Sequence, residues 1–451
     1  MKRQLMLLTA SPILALYVQA SPSNLYSELD KAMQSWQADQ SPSEAKDLSE
    51  FEAFKQQLLK DFNRYVETQM AEYDKFRDKL LKSWGDSQVT NQHQFVSYSD
   101  DDTARLNVDF QNNTLTLSVK HKAGITPKKN EVEALFQQFL RSEQALLQEF
   151  YNHAPSSSDE RNFKQADTTK IDKKSQAKAL KKALQEIKKQ TRLQQQALDK
   201  KYDEQLVTEN PNNQSLKSLE EDKAALKQLE QKRMLALKKN VPKIISEAPK
   251  NTLVTEFVIT LPKRNQVSQR AEKYLAPIKK QSKRFELPPA TILAVMHTES
   301  HFNPMAKSHI PAFGLMQVVP TSAGIDVNRF LYDIDAPMSA PYLYVSDNNI
   351  EAGSAYLHLL DKRYLKHISD PLSRKYCMIA AYNTGAGNVA RAFNSDGSRN
   401  IRNASKVINS MSPERVLEVL SANLPYDETR KYIHKVLEKE KLYAVDNTNP
   451  Q

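Results

Sequence analysis

The sequence predicts an α+β chain, mainly helical, in which a helix and a small antiparallel sheet precede an α-rich C-terminal domain. Three observations carry this expectation. Apolar residues recur three and four apart, as at Phe51, Phe54, Leu58, Phe62, Tyr65, Tyr73, Phe76 and Leu80, the spacing of one helix face. Short runs that alternate apolar and polar residues flank turn formers, as strands do. Six of the eight glycines (Gly314, Gly324, Gly353, Gly385, Gly387, Gly397) lie in the C-terminal region, so backbone positions of unusual dihedral angle are concentrated there.

In chain order, Met1-Lys2-Arg3, the apolar run from Leu5 and the stretch Val18-Gln19-Ala20 have the pattern of a secretory signal. Residues 1–20 are therefore expected to direct export. The run is too short for a membrane span, and no other segment approaches ~20 apolar residues. No transmembrane segment is expected in the mature chain. The helix over Phe51–Trp84 should end at Gly85-Asp86. Phe95–Ser99, Arg105–Phe110 and Thr114–Val119 follow as strands, the last two forming a hairpin around Gln111-Asn112-Asn113. A further helix is expected over Glu131–Tyr151. Leu253–Leu261 has strand character and should join the same sheet, because an isolated hairpin is marginal in water. These elements make up an N-terminal domain over residues 21–262.

The two ends of that sheet bracket a basic insertion, residues 161–250, approached through Ser156–Asp159. It holds 22 lysines and arginines against 12 acids, an excess of ten that equals the net charge of the whole chain, +10. Leu180, Leu184, Ile187 and Leu198 form a partial seam broken by Thr191 and Gln194. Asn210–Asn213 is a turn signal, and Leu216, Leu219, Leu226, Leu229 and Leu237 suggest a returning helix. The insertion is expected to be an antiparallel helical hairpin. Its charge is either a solvated face or a means of attraction to an anionic envelope surface. Aromatic interleaving is absent, and a nucleic-acid partner is not expected of an exported chain.

The C-terminal domain, residues 263–451, carries the chemistry. Pro289–His297 is an apolar helix that delivers one carboxylate, Glu299, just before Pro304. A carboxyl in dry surroundings holds its proton toward neutral pH. Thr298–Pro304, Phe313–Gln317 and Ala381-Tyr382-Asn383 are joined by two more blocks, Asn348–Gly353 and Tyr426–Tyr432. His297 and His301 bracket Glu299 in the order His-Thr-Glu-Ser-His, which is not the order of a zinc-binding helix. Cys377 is the only cysteine, so an intramolecular disulfide and a cysteine-rich metal site are excluded. It is expected to be a buried apolar residue. No metal or other cofactor is expected.

These five blocks, in this order and spacing, resemble the lytic murein transglycosylases, a family with a goose-lysozyme-like catalytic domain. The resemblance covers roughly Gln266 to Ala444. It implies a lysozyme-like fold, and peptidoglycan glycan strands as the partner and substrate. It also implies cleavage of the MurNAc–GlcNAc β-1,4 bond without water. The C6 hydroxyl of muramic acid would attack the anomeric carbon and leave a 1,6-anhydro end, with Glu299 acting first as general acid and then as base. Most glycosidases instead pair two carboxylates. The resemblance further implies that Ser300, Gln317, Tyr382 and Asn383 bind or position substrate, and that Tyr426 approaches the acid. Three of them have a plainer alternative: Ser300 as a helix-end hydrogen bonder, Gln317 as a structural amide, Asn383 as a turn cap.

Two departures from the family pattern stand out. Pro311 occupies a position where the family often has glycine, which would stiffen the loop before Gly314. The subfamily of greatest likeness is usually acylated on a cysteine after its signal, and no cysteine lies near residue 20, so a lipid anchor is not expected. A hydrolytic muramidase of the same fold, drawing a second acid from between Asp326 and Asp361, and a non-catalytic wall-binding scaffold are the competing functions.

Overall fold

A computed structural model describes residue 67 and residues 70–143, 164–206, 213–260, 270–308 and 312–445. The expected signal peptide, the start of the first helix, Ser156–Asp159, the turn from Asn210 to Asn212, and Pro311 lie outside these residues. The fold is α+β and mainly helical, with one small antiparallel sheet. Two compact units divide it. The first holds the described residues up to Thr90 together with Gln94–Lys181 and Asn240–Gln266; the second holds Asn91–His93, Lys182–Lys239 and the chain from Val267 onward.

In the first unit, helix α1 (70–84) stops at Gly85, whose φ of +71° suits a residue without Cβ. Strands β1 (Gln94–Tyr98), β2 (Ala104–Asp109), β3 (Thr114–Lys122), β4 (Lys164–Lys170) and β5 (Thr252–Thr260) form a sheet of order β1-β2-β3-β5-β4. All neighbours are antiparallel. The β2–β3 hairpin turns where expected, because the Asp109 carboxylate accepts from the amides of Gln111 (2.9 Å) and Asn112 (2.8 Å). Leu106, Val108, Leu115 and Leu117 bury one face of the hairpin. β5 joins β3 in register from Thr114↔Thr260 to Lys122↔Thr252. The sheet thus closes across the insertion as the sequence implied. β4 was not foreseen. All seven of its residues are exposed and polar or charged apart from one alanine, so it lacks alternation, and it lies at the sheet edge, where charge discourages further pairing.

Helix α2 (Lys129–Ser142) follows β3. The insertion is a pair of long helices, α3 (Lys173–Leu206) and α4 (Asn213–Ser246). Leu180, Ala183, Ile187, Leu219, Leu237 and Ile244 are buried. At the predicted break in the seam the interior turns polar: Gln190, Thr191 and Gln194 are buried, and Arg233 donates to Gln190 at 2.6 Å.

The second unit gathers short helices around one that is apolar on every side. They are α5 (Leu275–Phe285), α6 (Pro289–Ser300), α7 (Ala323–Tyr332), α8 (Ala340–Tyr344), α9 (Ser346–Leu359), α10 (Pro371–Thr384), α11 (Ala386–Phe393), α12 (Ile401–Ile408), α13 (Pro413–Asn423) and α14 (Asp427–Val445). α6 is the central one; Ile292, Ala294, Val295 and Met296 have no exposed surface. Side-chain caps fix where several helices begin: Ser339, Asp370, Asn400 and Ser412 each accept from the backbone amide three residues on. Cys377 is buried on α10, and burial pushes its thiol well above the ordinary range, which makes it an inert core residue.

Candidate active site

α6 ends at Ser300, four residues before Pro304. His301 (φ 52°) and Phe302 (φ 64°) both take the left-handed conformation, which turns the chain immediately after Ser300. Such angles are unfavourable for residues with a Cβ, so something must hold them. Phe302 does so by packing, with only 1 % of its surface exposed. Ser300 does so by hydrogen bonding. Its Oγ accepts from the Phe302 amide at 3.1 Å and lies 2.7 Å from the Leu315 carbonyl and 3.1 Å from that of Met296. Ser300 is fully buried and ties the helix end to the Phe313–Gln317 turn. The plainer of its two expected roles is the one the geometry displays.

That turn is held from inside. Asn349 on α9 donates to the carbonyls of Phe313 (2.7 Å) and Leu343 (2.8 Å), and its Oδ1 accepts from the Met316 amide at 2.7 Å. Gly314, at φ +73°, has no room for a side chain: a Cβ would stand 2.4 Å from Asn349 Nδ2 and 2.5 Å from the Leu343 carbonyl oxygen. Gln317 is buried, with φ 50°, and its Nε2 donates to the carbonyls of Ala306 (3.1 Å) and Gly314 (2.9 Å). Both amide hydrogens are therefore committed to backbone, which leaves its Oε1 as the atom free to receive a donor.

Held this way, Glu299 sits at the end of α6 with 8 % of its surface exposed. The hydroxyl of Tyr432 donates to its Oε1 at 2.7 Å. Tyr432 and Tyr382 are both buried. Their phenols are pushed well above the ordinary range, first by burial and then by the charge of Glu299. The Tyr382 hydroxyl donates to the Met316 carbonyl at 2.8 Å, so it braces the same turn. Asn383 is half-buried, and its Oδ1 accepts from Thr429 Oγ1 at 2.6 Å.

Tyr426 corrects the sequence expectation. The phenol on the glutamate is Tyr432, whereas the Tyr426 hydroxyl donates to Asp199 of α3 at 3.0 Å. Helical geometry accounts for the difference. Tyr426 stands just before α14, and six residues of helix turn the chain by about 600°, so the two tyrosines face different directions.

A second layer lies behind the acid. Tyr443 OH is 2.9 Å from His297 Nδ1, and Lys439 donates from Nζ to the His297 carbonyl at 3.1 Å. Burial, with the nearby positive charges of Lys439 and Arg270, holds His297 down at about 3, so it is neutral. Burial also lowers Lys439 to about 8, against the pull of Glu299. The side chains that sequence reasoning missed are Tyr432, Asn349, Lys439 and Tyr443. The first two lay inside recognised blocks, whereas Lys439 and Tyr443 carried no local signal. The resulting arrangement is a nearly dry carboxyl with a phenol donor on one oxygen. Among the described residues, no cluster of three or more histidine, cysteine or acidic side chains is arranged to hold a metal ion.

Residues 276–405 match the family model described as Transglycosylase SLT domain. Over 179 residues the chain is 45 % identical to membrane-bound lytic murein transglycosylase C of Sodalis glossinidius, covering 40 % of this chain and 49 % of the relative. It is also 45 % identical to the protein of that name from Klebsiella pneumoniae, covering 40 % and 48 %. The chain spans about half the length of the curated relatives it matches. Among solved structures, an inactive mutant of lytic transglycosylase Slt from Pseudomonas aeruginosa aligns at 28 % identity and a TM-score of 0.30, over 39 % of this chain and 24 % of the other. A 70-kDa soluble lytic transglycosylase in complex with bulgecin A aligns at 22 % and 0.32, over 41 % and 26 %. Glu299 at the end of its helix and the Phe313–Gln317 turn both lie inside the span that matches the transglycosylase SLT domain model.

Proposed function

We propose that this protein is a lytic transglycosylase of peptidoglycan, cutting the MurNAc–GlcNAc β-1,4 bond without water and leaving 1,6-anhydromuramic ends. Glu299 protonates the bridging oxygen, then takes the proton of the C6 hydroxyl as that hydroxyl closes on the anomeric carbon. One carboxyl serves both steps because the proton it loses in the first returns in the second. The observation that carries this reading is the buried Glu299–Tyr432 pair at 2.7 Å. A phenol held there donates to the carboxylate once its proton has gone, and so steadies the intermediate stage.

The distribution of the other acids supports a single carboxylate. The second acid of a hydrolase was sought between Asp326 and Asp361. Of the six acids in that stretch, Asp326 and Asp335 pair with Arg329, Glu351 with Arg284 and Asp361 with Arg374, whereas Asp333 and Asp347 are exposed. Ser300, Gln317 and Tyr382 act by shaping the turn beside Glu299, and half-buried Asn383 faces the glycan. The relatives' name includes "membrane-bound", while no helix of the described residues is long and apolar enough to cross a membrane. Export to the periplasm through residues 1–20, and attraction of the basic insertion to the anionic wall, complete the reading.

The test is purified wall clearance by Glu299→Gln, which keeps size and polarity and removes the transferable proton. The expected loss is roughly 10² to 10⁴-fold, the usual contribution of a positioned acid–base group, with wall binding retained. A variant that clears wall at the native rate contradicts the assignment.

A further inference from the structure

Asp199 lies near the far end of α3, in the basic insertion, outside the span that matches the family. Its carboxylate is 1 % exposed and reaches four donors. Lys223 of α4 belongs to its own hairpin, at 2.8 Å. The other three come from separate pieces of the C-terminal domain. Asn388 Nδ2 on α11 is at 3.1 Å, the Tyr426 hydroxyl before α14 is at 3.0 Å, and the Arg399 guanidinium before α12 is paired with Asp199 Oδ1. A guanidinium, a carboxamide and a phenol that converge from three elements on one carboxylate make a recognition site for that group.

The site adjoins the acid. Tyr426 and Tyr432 are six residues apart, roughly 9 Å along the α14 axis at 1.5 Å per residue. Thr429, between them, holds Asn383. Two to three extended peptide residues span about 7 to 10 Å, so a peptide branch on a sugar held at Glu299 reaches this far. The occupant, moreover, is not bound at low cost. Asn388 Oδ1 is buried without a hydrogen-bond partner among the described residues, at a penalty of about 1–3 kcal/mol. An interface with such a defect is suited to exchange. When the hairpin withdraws, Asp199 keeps Lys223 as its counter-ion.

We infer that Arg399, Asn388 and Tyr426 form a receiving site for the carboxylates of the wall polymer's peptide branches, and that Asp199 of the hairpin occupies it as an internal competitor. This rests on the proposed action on peptidoglycan and adds to it a substrate group and a means of restraint. The chain would work slowly until a carboxylate-bearing strand displaces the hairpin.

The experiment uses two full-length variants that break the same ion pair from opposite sides, Asp199→Ala and Arg399→Met. The probe is a soluble acetylated tetrapeptide with free side-chain and terminal carboxylates, compared with its fully amidated form by calorimetry. Removing the competitor should tighten binding of the acidic peptide by on the order of ten-fold, as expected if the open arrangement is a minor state. Removing the receiver should leave it no tighter than in the native protein, and the amidated form should bind neither variant. A merely structural ion pair moves both variants in the same direction, and that result, or equal binding of the acidic and amidated peptides, overturns the inference. Asp199→Asn and Arg399→Lys, checked by thermal melting, stand in if the larger changes prevent folding. Clearance of wall by Asp199→Ala should rise above native. A protein that clears no wall yet binds the acidic peptide more tightly once Asp199 is gone refutes the proposed activity and supports the receiving site.

Discussion

Glu299 is held by burial at the end of α6 and by the Tyr432 phenol on its Oε1. Tyr432→Phe removes only the second. It should lower kcat by roughly ten- to a hundred-fold, the equivalent of one hydrogen bond to a charged group at about 1.5–3 kcal/mol. The far-ultraviolet dichroism should be unchanged; native kcat would show that the phenol is not part of the machinery. His297 gives a pH effect whose sign follows from its environment. Its ordinary value is 6.5 and the fold depresses it to about 3, so between these values the unfolded chain binds the extra proton. Stability is therefore present above about pH 6.5 and is lost as pH falls toward 3. His297→Gln should flatten this part of the melting-temperature profile, and an unchanged slope would place the effect elsewhere. Glu299 was legible in the sequence because its apolar helix and its neighbours are contiguous. The partner phenol was not. Choosing between Tyr426 and Tyr432 depends on where α14 begins and which face it buries, and neither is a property of the local run.

Among the elements, the turn from Phe313 to Gln317 shows why a glycine and an amide are needed at Gly314 and Gln317. Gly314→Ala places a methyl against Asn349 and the Leu343 carbonyl at a positive φ. The expected cost is a few kcal/mol, since both backbone strain and overpacking act at once, read as a drop in melting temperature together with loss of wall clearance. A variant of native stability would mean that the turn is less tightly packed than described. The strands that alternate, the hairpin turn at Asp109 and the closure by β5 could all be read from period and turn chemistry. β4 could not, because Lys164–Lys170 carries no apolar face and becomes a strand only by pairing with β5. The left-handed angles at His301 and Phe302 that end α6 carry no signal in the local run, because tertiary packing imposes them.

At the scale of the molecule, the insertion was legible as a basic helical hairpin because charge and leucine spacing are linear properties. That its Asp199 would be buried against Arg399, two hundred residues away, was invisible, since one acid among many lysines has no pattern. The polar layer at Gln190, Thr191 and Gln194 was visible only as a gap in the seam. On the proposed function, the enzyme takes no water into its second step. Mass analysis of the fragments released from purified peptidoglycan tests this most directly. The account predicts muramic ends lighter than reducing ends by one water, the 1,6-anhydro form; fragments that all carry reducing ends would contradict it and identify a hydrolase.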